Sequence, residues 1–234
     1  METARRLQRE IGGEVVFFYH DSDHDPRETV TVLHERATGK EVRLNFVFAN
    51  QLQKKFSPLF AKRILPASKE KLSAQLVQCV SPELAEAFRE INSTNVANFC
   101  LAMYARLGLL ENTRVMRSGD PAFRQRAVAI DDYFVDVHYE GELVRARCAP
   151  DALLLHKGGD AYIKLPLEKY GPDQISPTRD TRLRWMQSVI GCTHYIAGAG
   201  EMKYLRPEET PEITFVVRDE ISESAHAYLP EALS

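Results

Sequence analysis

The chain has little of what usually announces a specialised chemistry. Its four cysteines, Cys79, Cys100, Cys148 and Cys192, are scattered through 234 residues with no CxxC pair. That spacing excludes a metal knuckle or a disulfide framework and leaves free, buried thiols as the expectation. No apolar run approaches the ~18 residues that a bilayer span needs. Met1 to Arg6 holds no apolar h-region, so no signal peptide is expected and a cytoplasmic location is. Neither sign of charge dominates: 30 basic residues face 33 acidic ones, for a net charge of −3. A nucleic-acid surface usually shows as a basic excess, so none is expected here. There is no Gly-x-Ser-x-Gly elbow, no HExxH, no Walker lysine, no internal repeat and no low-complexity tract.

What is present is an ordinary globular composition. Hydrophobic residues make up 44% and charged residues 27%, enough to bury a core and stay in solution. Leu7 and Ile11 place a short helix over residues 2–11, ended by Gly12-Gly13. Val15–Tyr19 is a continuous apolar run that fits a strand buried on both faces. Thr29–Arg36 and Lys40–Phe48, joined by Ala37-Thr38-Gly39, form a hairpin pattern. From about Gln51 to Leu110 the pattern is helical, broken at Pro66 and at Ser81-Pro82. Ser81-Pro82 is a helix start, with Ser at the N-cap and Pro at the first helical position. Gly119-Asp120-Pro121 marks a turn or another helix start within the hard-to-read stretch 111–131. Tyr133–Cys148 and Ala152–Leu167 are strand-like, the latter with Gly158-Gly159 as a hairpin turn. A helix near Thr181–Ile190, a strand over Cys192–Ile196 and a last strand over Ile213–Arg218 complete the pattern.

Three stretches could carry chemistry. His20-Asp21-Ser22-Asp23-His24-Asp25 follows the first strand, and open α/β sheets bind ligands beyond the carboxyl ends of strands. Its imidazoles and carboxylates could exchange protons, hold a polar substrate or ligate a metal. The competing reading is a solvated loop, because Asp and Ser are common loop residues. Ala197-Gly198-Ala199-Gly200-Glu201 is a glycine-rich turn whose N–H groups could meet an anion, or a plain strand-to-helix turn with Glu201 well placed in the first helical turn. Ser176-Pro177-Thr178-Arg179-Asp180, with Arg182 and Arg184, offers guanidinium forks for phosphate or carboxylate. The alternative is a helix start with arginines on its wet face.

Together these stretches resemble the cysteine-adding ligase family of bacillithiol synthesis. The resemblance is carried by Val15–Tyr19 with Ser22-Asp23-His24-Asp25 and Glu28, by Leu153–Gly159, by Ser176-Pro177 with Arg182, and by Ala197–Glu201 with Tyr204, in that order. It covers both ends of the chain and is poorest between about 50 and 150. The family's Glu is Ser22 here, its first motif Gly is Ala197 and its Pro is Ala199. The family's leading strand with its Gly-Gln-Gln segment, its coiled coil and its C-terminal extension have no counterpart in this sequence. The lost strand leaves an edge for another subunit to cover.

The resemblance implies an α/β fold: a single Rossmann-like domain over 1–234, with a mostly parallel sheet, β-hairpins and a helical middle segment or insert at about 50–130. It implies ligation of cysteine to an aminosugar-malate, with Asp23, His24 and Asp25 as catalytic residues. Arg182, Gly198, Gly200 and Glu201 are then the substrate or anion contacts, and no metal is implied. A nucleotide, ATP or ADP, is the expected cofactor if one is needed. The expected partners are a small polar or anionic substrate and a second copy or partner subunit, with no nucleic acid and no membrane. Two further readings stay open: a non-catalytic or partner-dependent subunit of a split enzyme, and a metal-dependent hydrolase using His20, Asp23, His24 and Asp25.

Overall fold

A computed structural model describes residues 1–220. The chain divides into two compact units. The first comprises residues 1–22, 112–139 and 145–220; the second comprises residues 23–111 and 140–144.

The first unit begins with helix α1 (Glu2–Ile11), which stops at Gly12, whose φ of 78° lies in the left-handed region that glycine tolerates. Strand β1 (Val15–Tyr19) runs parallel to β4 (Thr113–Arg117), in register from Val15 opposite Thr113 to Tyr19 opposite Arg117. Helix α6 (Pro121–Arg126) follows, capped by Asp120, whose carboxylate accepts the Ala122 N–H at 2.9 Å. Strands β5 (Tyr133–Tyr139), β6 (Glu142–Cys148, of which residues 142–144 fall to the second unit), β7 (Leu153–Gly158), β8 (Ala161–Leu165) and β9 (Ile175–Pro177) form one sheet in the order β8-β7-β6-β5-β9. Helix α7 (Arg182–Ile190) leads to β10 (His194–Ala197), the single turn α8 (Ala199–Met202) and β11 (Thr214–Val217), which pairs parallel with β10.

The mostly parallel Rossmann-like sheet expected from the resemblance is not what forms. Among the described residues, parallel pairing is confined to two two-stranded ribbons, and the largest sheet is antiparallel. The connections explain this. A parallel neighbour needs a crossover of a dozen residues or more, usually a helix. Between β5 and β6 there are only Glu140 and Gly141, with φ of 47° and 80°, the paired positive values of a two-residue hairpin turn. Between β7 and β8 the chain reverses through Gly159-Asp160. The strand-like run 133–148 is therefore a pair of strands. Strand β1 is half-buried at all five positions rather than buried on both faces, because β4 is its only strand neighbour among the described residues.

Trp185 is the largest buried side chain of this unit and packs on Phe18 and Phe123. Leu183, Met186 and Ile213 gather beside it with Phe215. Burying side chains of this size contributes roughly 1.5–3 kcal/mol each.

The second unit pairs a hairpin with helices. Strands β2 (Val30–His34) and β3 (Glu41–Asn45) are antiparallel. Helices α2 (Gln51–Phe56), α3 (Pro66–Leu76), α4 (Pro82–Glu90) and α5 (Val96–Arg106) follow. Ser81 accepts the Leu84 N–H as expected, and Asn50 and Asn95 cap α2 and α5 in the same way. Leu33 and Leu44 from the hairpin meet Leu72, Leu76, Val80 and Leu84 in the core.

Candidate functional site

Asp23, His24 and Asp25 form a loop in the second unit, each half-buried. The Asp23 carboxylate accepts the N–H groups of His24 and Asp25, at 2.6 and 3.0 Å. The Asp25 carboxylate accepts the Arg27 N–H at 2.9 Å and pairs with the Arg27 guanidinium. That hydrogen-bonded guanidinium holds the Asp25 carboxyl below its usual range, against the opposing effect of burial. Both carboxylates thus shape the loop in the way Asp residues organise turns.

A residue absent from the sequence reading lies beneath this loop. Lys62 is fully buried, and its ammonium donates to the carbonyls of His24 (3.0 Å) and Lys54 (2.9 Å). Phe48 lies 5.7 Å from the ammonium. Burial lowers the Lys62 pKa to about 8, with the charges of Asp23 and Asp25 pulling the other way. Its carbonyl partners lie 38 and 8 positions away, so no local pattern could have singled it out.

Arg182, Gly198, Gly200 and Glu201 lie in the first unit. Arg182 opens α7, and Glu201 sits in the α8 turn after β10. Arg182 Nη2 donates to Glu201 Oε1 at 3.0 Å and to the Tyr204 hydroxyl at 3.3 Å. The Tyr195 hydroxyl donates to the same Glu201 oxygen at 2.9 Å. Arg179 lies over the Tyr204 ring at 5.1 Å. Burial works against the Arg182 charge, but Tyr195, Glu201 and Tyr204 outweigh it and hold the guanidinium above its usual value. Burial, then the Glu201 charge, pushes the Tyr195 phenol up. Arg182 and Glu201 thus come together in one half-buried cluster, with Gly198 and Gly200 in the adjoining turn. Tyr195 completes the cluster and was missed: it was read only as part of an apolar strand.

The glycine turn spends part of its backbone on itself. The N–H groups of Glu201 and Met202 both bond back to the Gly198 carbonyl, at 2.9 and 3.0 Å. A nucleotide phosphate needs such groups aimed outward. A Cβ on Gly198 would meet the Arg218 guanidinium at 3.4 Å, while one on Gly200 would meet nothing within 4 Å.

The carboxyl ends of β1 and β4 hold a second feature, of which the sequence singles out Asp21 and Ser22 but not their partners from β4 onward. Asp21, Ser22 and Ser118 are all fully buried there. Asp21 accepts from Arg117 Nε at 2.6 Å and from the Gly119 N–H at 2.7 Å. Ser118 Oγ donates to Ser22 Oγ at 2.8 Å, and the Ser118 carbonyl accepts from Arg124 Nε at 2.7 Å. Arg124 continues to Asp136 on β5 as a buried ion pair of 2.6 Å and to the Asp173 carbonyl at 3.1 Å. Burial pushes the Asp136 carboxyl up, and Arg124 only partly offsets it. This is the place where parallel strands commonly receive an anion. Here the chain's own Asp21 takes up the donors.

Two cavities lie in the second unit. One, of about 620 Å³, is rimmed by Lys69, Glu70 and Arg89; the other, of about 260 Å³, is walled mostly by apolar side chains, with Glu28, Asn45 and Tyr104 among its polar lining residues. Neither is lined by Asp23, His24 or Asp25. Among the described residues no group of three or more His, Cys, Asp or Glu could hold a metal ion, so the metal-dependent reading of His20–Asp25 has no matching donor set. No helix among them is long and apolar enough to cross a membrane. No family model matches the chain, and no curated protein matches it in sequence.

Proposed function

We propose that the chain is a cytoplasmic, ligase-like enzyme that joins the carboxyl group of cysteine to the amine of an aminosugar-malate. The observation that supports this reading is the meeting of Arg182, Glu201 and Tyr204. These are residues on which the family resemblance rests, they stand 19 and 22 positions apart, and they share one hydrogen-bonded cluster. In this reading Arg182 supplies the positive charge for a substrate carboxylate, and Glu201 with Tyr195 fixes the orientation of that guanidinium. The resemblance alone assigns proton transfer to His24, on a loop that Asp23, Asp25 and Lys62 order. The new C–N bond replaces the carboxyl C–O bond, and the oxygen leaves with the group that activates the carboxyl, as phosphate where ATP supplies it.

The test is direct. Purified chain is incubated with cysteine and glucosaminyl malate, with and without ATP, and the amide is followed by mass spectrometry. Product is expected from the wild type. Arg182→Ala should lower its formation by about a hundredfold, the scale of losing one preorganised charge-stabilising donor. His24→Ala should abolish turnover with an unchanged circular dichroism spectrum. No product from the wild type, or unchanged rates in both variants, overturns the reading.

A second reading is a partner-dependent subunit. It is favoured by the two parallel ribbons, β1–β4 and β10–β11, each only two strands wide among the described residues and so left with open edges. Sedimentation of the purified chain separates the two: a monomer active alone removes the partner-dependent reading.

A further inference from the structure

The apolar cavity of the second unit belongs to no motif and lies outside the proposed ligase cluster. It sits among the β2–β3 hairpin and helices α3, α4 and α5, with Leu33, Leu44, Leu72 and Leu76 in its walls. Native cores hold few voids larger than a water molecule. A volume of about 260 Å³ is far beyond that. It is about 1.7 times the ~150 Å³ cavity that accepts benzene, which sets the occupant near two fused rings.

Two observations define the chemistry of the occupant. Phe46, Phe88 and Phe99 line the cavity as a packed aromatic group, with Phe88 and Phe99 4.8 Å apart at 67° and Phe46 and Phe99 5.3 Å apart at 78°. Such a wall offers ring edges and faces to another aromatic ring, a gain an aliphatic chain does not share. Asn45 also lines the cavity, and its Oδ1 is buried with no hydrogen-bond partner. A buried acceptor left unbonded is unfavourable, and a donor arriving with a ligand relieves it. Thr31, an exposed lining residue, marks a route in from the surface.

We infer that the cavity between the β2–β3 hairpin and α3–α5 is a binding site for a bicyclic aromatic molecule carrying one hydrogen-bond donor, which Asn45 Oδ1 accepts. The ligand stacks against Phe46, Phe88 and Phe99, with the Met103 thioether against its ring edge.

Met103 makes the test site-specific. It is the one methionine of five that lines this cavity. The full chain, labelled at the methionine methyl groups, is titrated with 2-naphthol, naphthalene and 1-octanol and followed by NMR. 2-Naphthol should shift the Met103 methyl signal saturably and leave those of Met116 and Met186 in place. Naphthalene, with no donor, should bind about tenfold more weakly. In Asn45→Leu that difference should vanish. Cys100→Phe, which places a ring in the cavity from α5, should abolish the naphthol shift while the methyl signals stay dispersed. If that variant does not fold, the Asn45→Leu comparison still decides. The site assignment is overturned if no saturable Met103 shift appears up to the solubility of 2-naphthol. The donor assignment is overturned if naphthalene binds the wild type as well as 2-naphthol, and the aromatic assignment if 1-octanol binds tighter.

Discussion

The two units differ most in how they bury a cation. In the first, buried carboxylates meet guanidinium groups: Arg124 with Asp136, and Arg117 with Asp21. In the second, the fully buried cation Lys62 rests on two backbone carbonyls. The buried Glu142 there is held by Asn50, Gln53 and Arg63, the last more than half exposed. A charge neutralised by a full opposite charge makes each partner indispensable to the other. A charge solvated by dipoles can be removed at the expense of a hydrogen bond or two. The first unit should therefore be more sensitive to single truncations, and the second to pH in the alkaline range.

The largest effect should come from Arg124→Ala, which leaves Asp136 as an unpaired buried carboxylate. Breaking a buried pair from one side costs roughly 3–5 kcal/mol, read by urea unfolding. Replacing both partners by apolar residues, Arg124→Met with Asp136→Leu, should recover most of that loss. If Arg124→Ala costs no more than an ordinary surface change, the contrast between the units fails at its strongest point.

Next comes the alkaline behaviour of Lys62. Its folded pKa of about 8 lies below the ordinary 10.5, so the folded state holds fewer protons than the unfolded state between those values. Stability then rises with pH across that window, and the full penalty of the buried charge is present below pH 8. In the single-group limit the rise is about 3 kcal/mol. Asp136 has the opposite sign. Its folded pKa is raised above 3.8, so stability is lost as pH rises from there through the raised value. Lys62→Met should erase the alkaline rise, with the cost of the two carbonyls left unbonded, roughly 1–2 kcal/mol, showing above pH 10.5 where the wild type no longer carries the buried charge. A stability curve for Lys62→Met that still climbs from pH 8 to 10.5 would assign the rise to another group.

These contrasts were mostly hidden in the sequence, for a physical reason. Local signals were legible: the Ser81 and Asp120-Pro121 helix starts, the β2–β3 hairpin, and the Gly158-Gly159 reversal all depend on residues a few positions apart. The β4 strand was not, because Arg114 and Arg117 interrupt its apolar run, and Arg117 is needed for Asp21, 96 positions away. The parallel sheet was wrongly expected because the resemblance implied it, whereas the two-residue turns at Glu140-Gly141 and Gly159-Asp160 leave no room for the crossovers it needs. At the candidate site, Arg182, Glu201 and the Gly198–Gly200 turn were named from motif order, but Tyr195 and Lys62 acquire their roles only from partners that folding brings near. Periodicity carries no information about such pairs.

Tyr195→Phe sharpens the comparison within the first unit. It removes one donor to Glu201 and leaves the Arg182 ion pair in place. The expected loss is about 1 kcal/mol by urea unfolding, well below that of Arg124→Ala, because a neutral partner is lost and no charge is stranded.

The smallest effect compares like with like. Ser81→Ala in the second unit and Asp120→Ala in the first each remove a side-chain N-cap, from Leu84 and Ala122 respectively. Each should cost about 1 kcal/mol. The geometry separates them: the Ser81 bond is long, at 3.3 Å, and its helix has nine residues, whereas the Asp120 bond is 2.9 Å on a helix of six. Asp120 also brings a negative charge to a helix N-terminus, worth a few tenths of a kcal/mol more at low salt. Asp120→Ala should therefore be the costlier of the two at low ionic strength, and the gap should narrow as salt is added. A gap that does not respond to salt would mean that the shorter bond, not the charge, makes the difference.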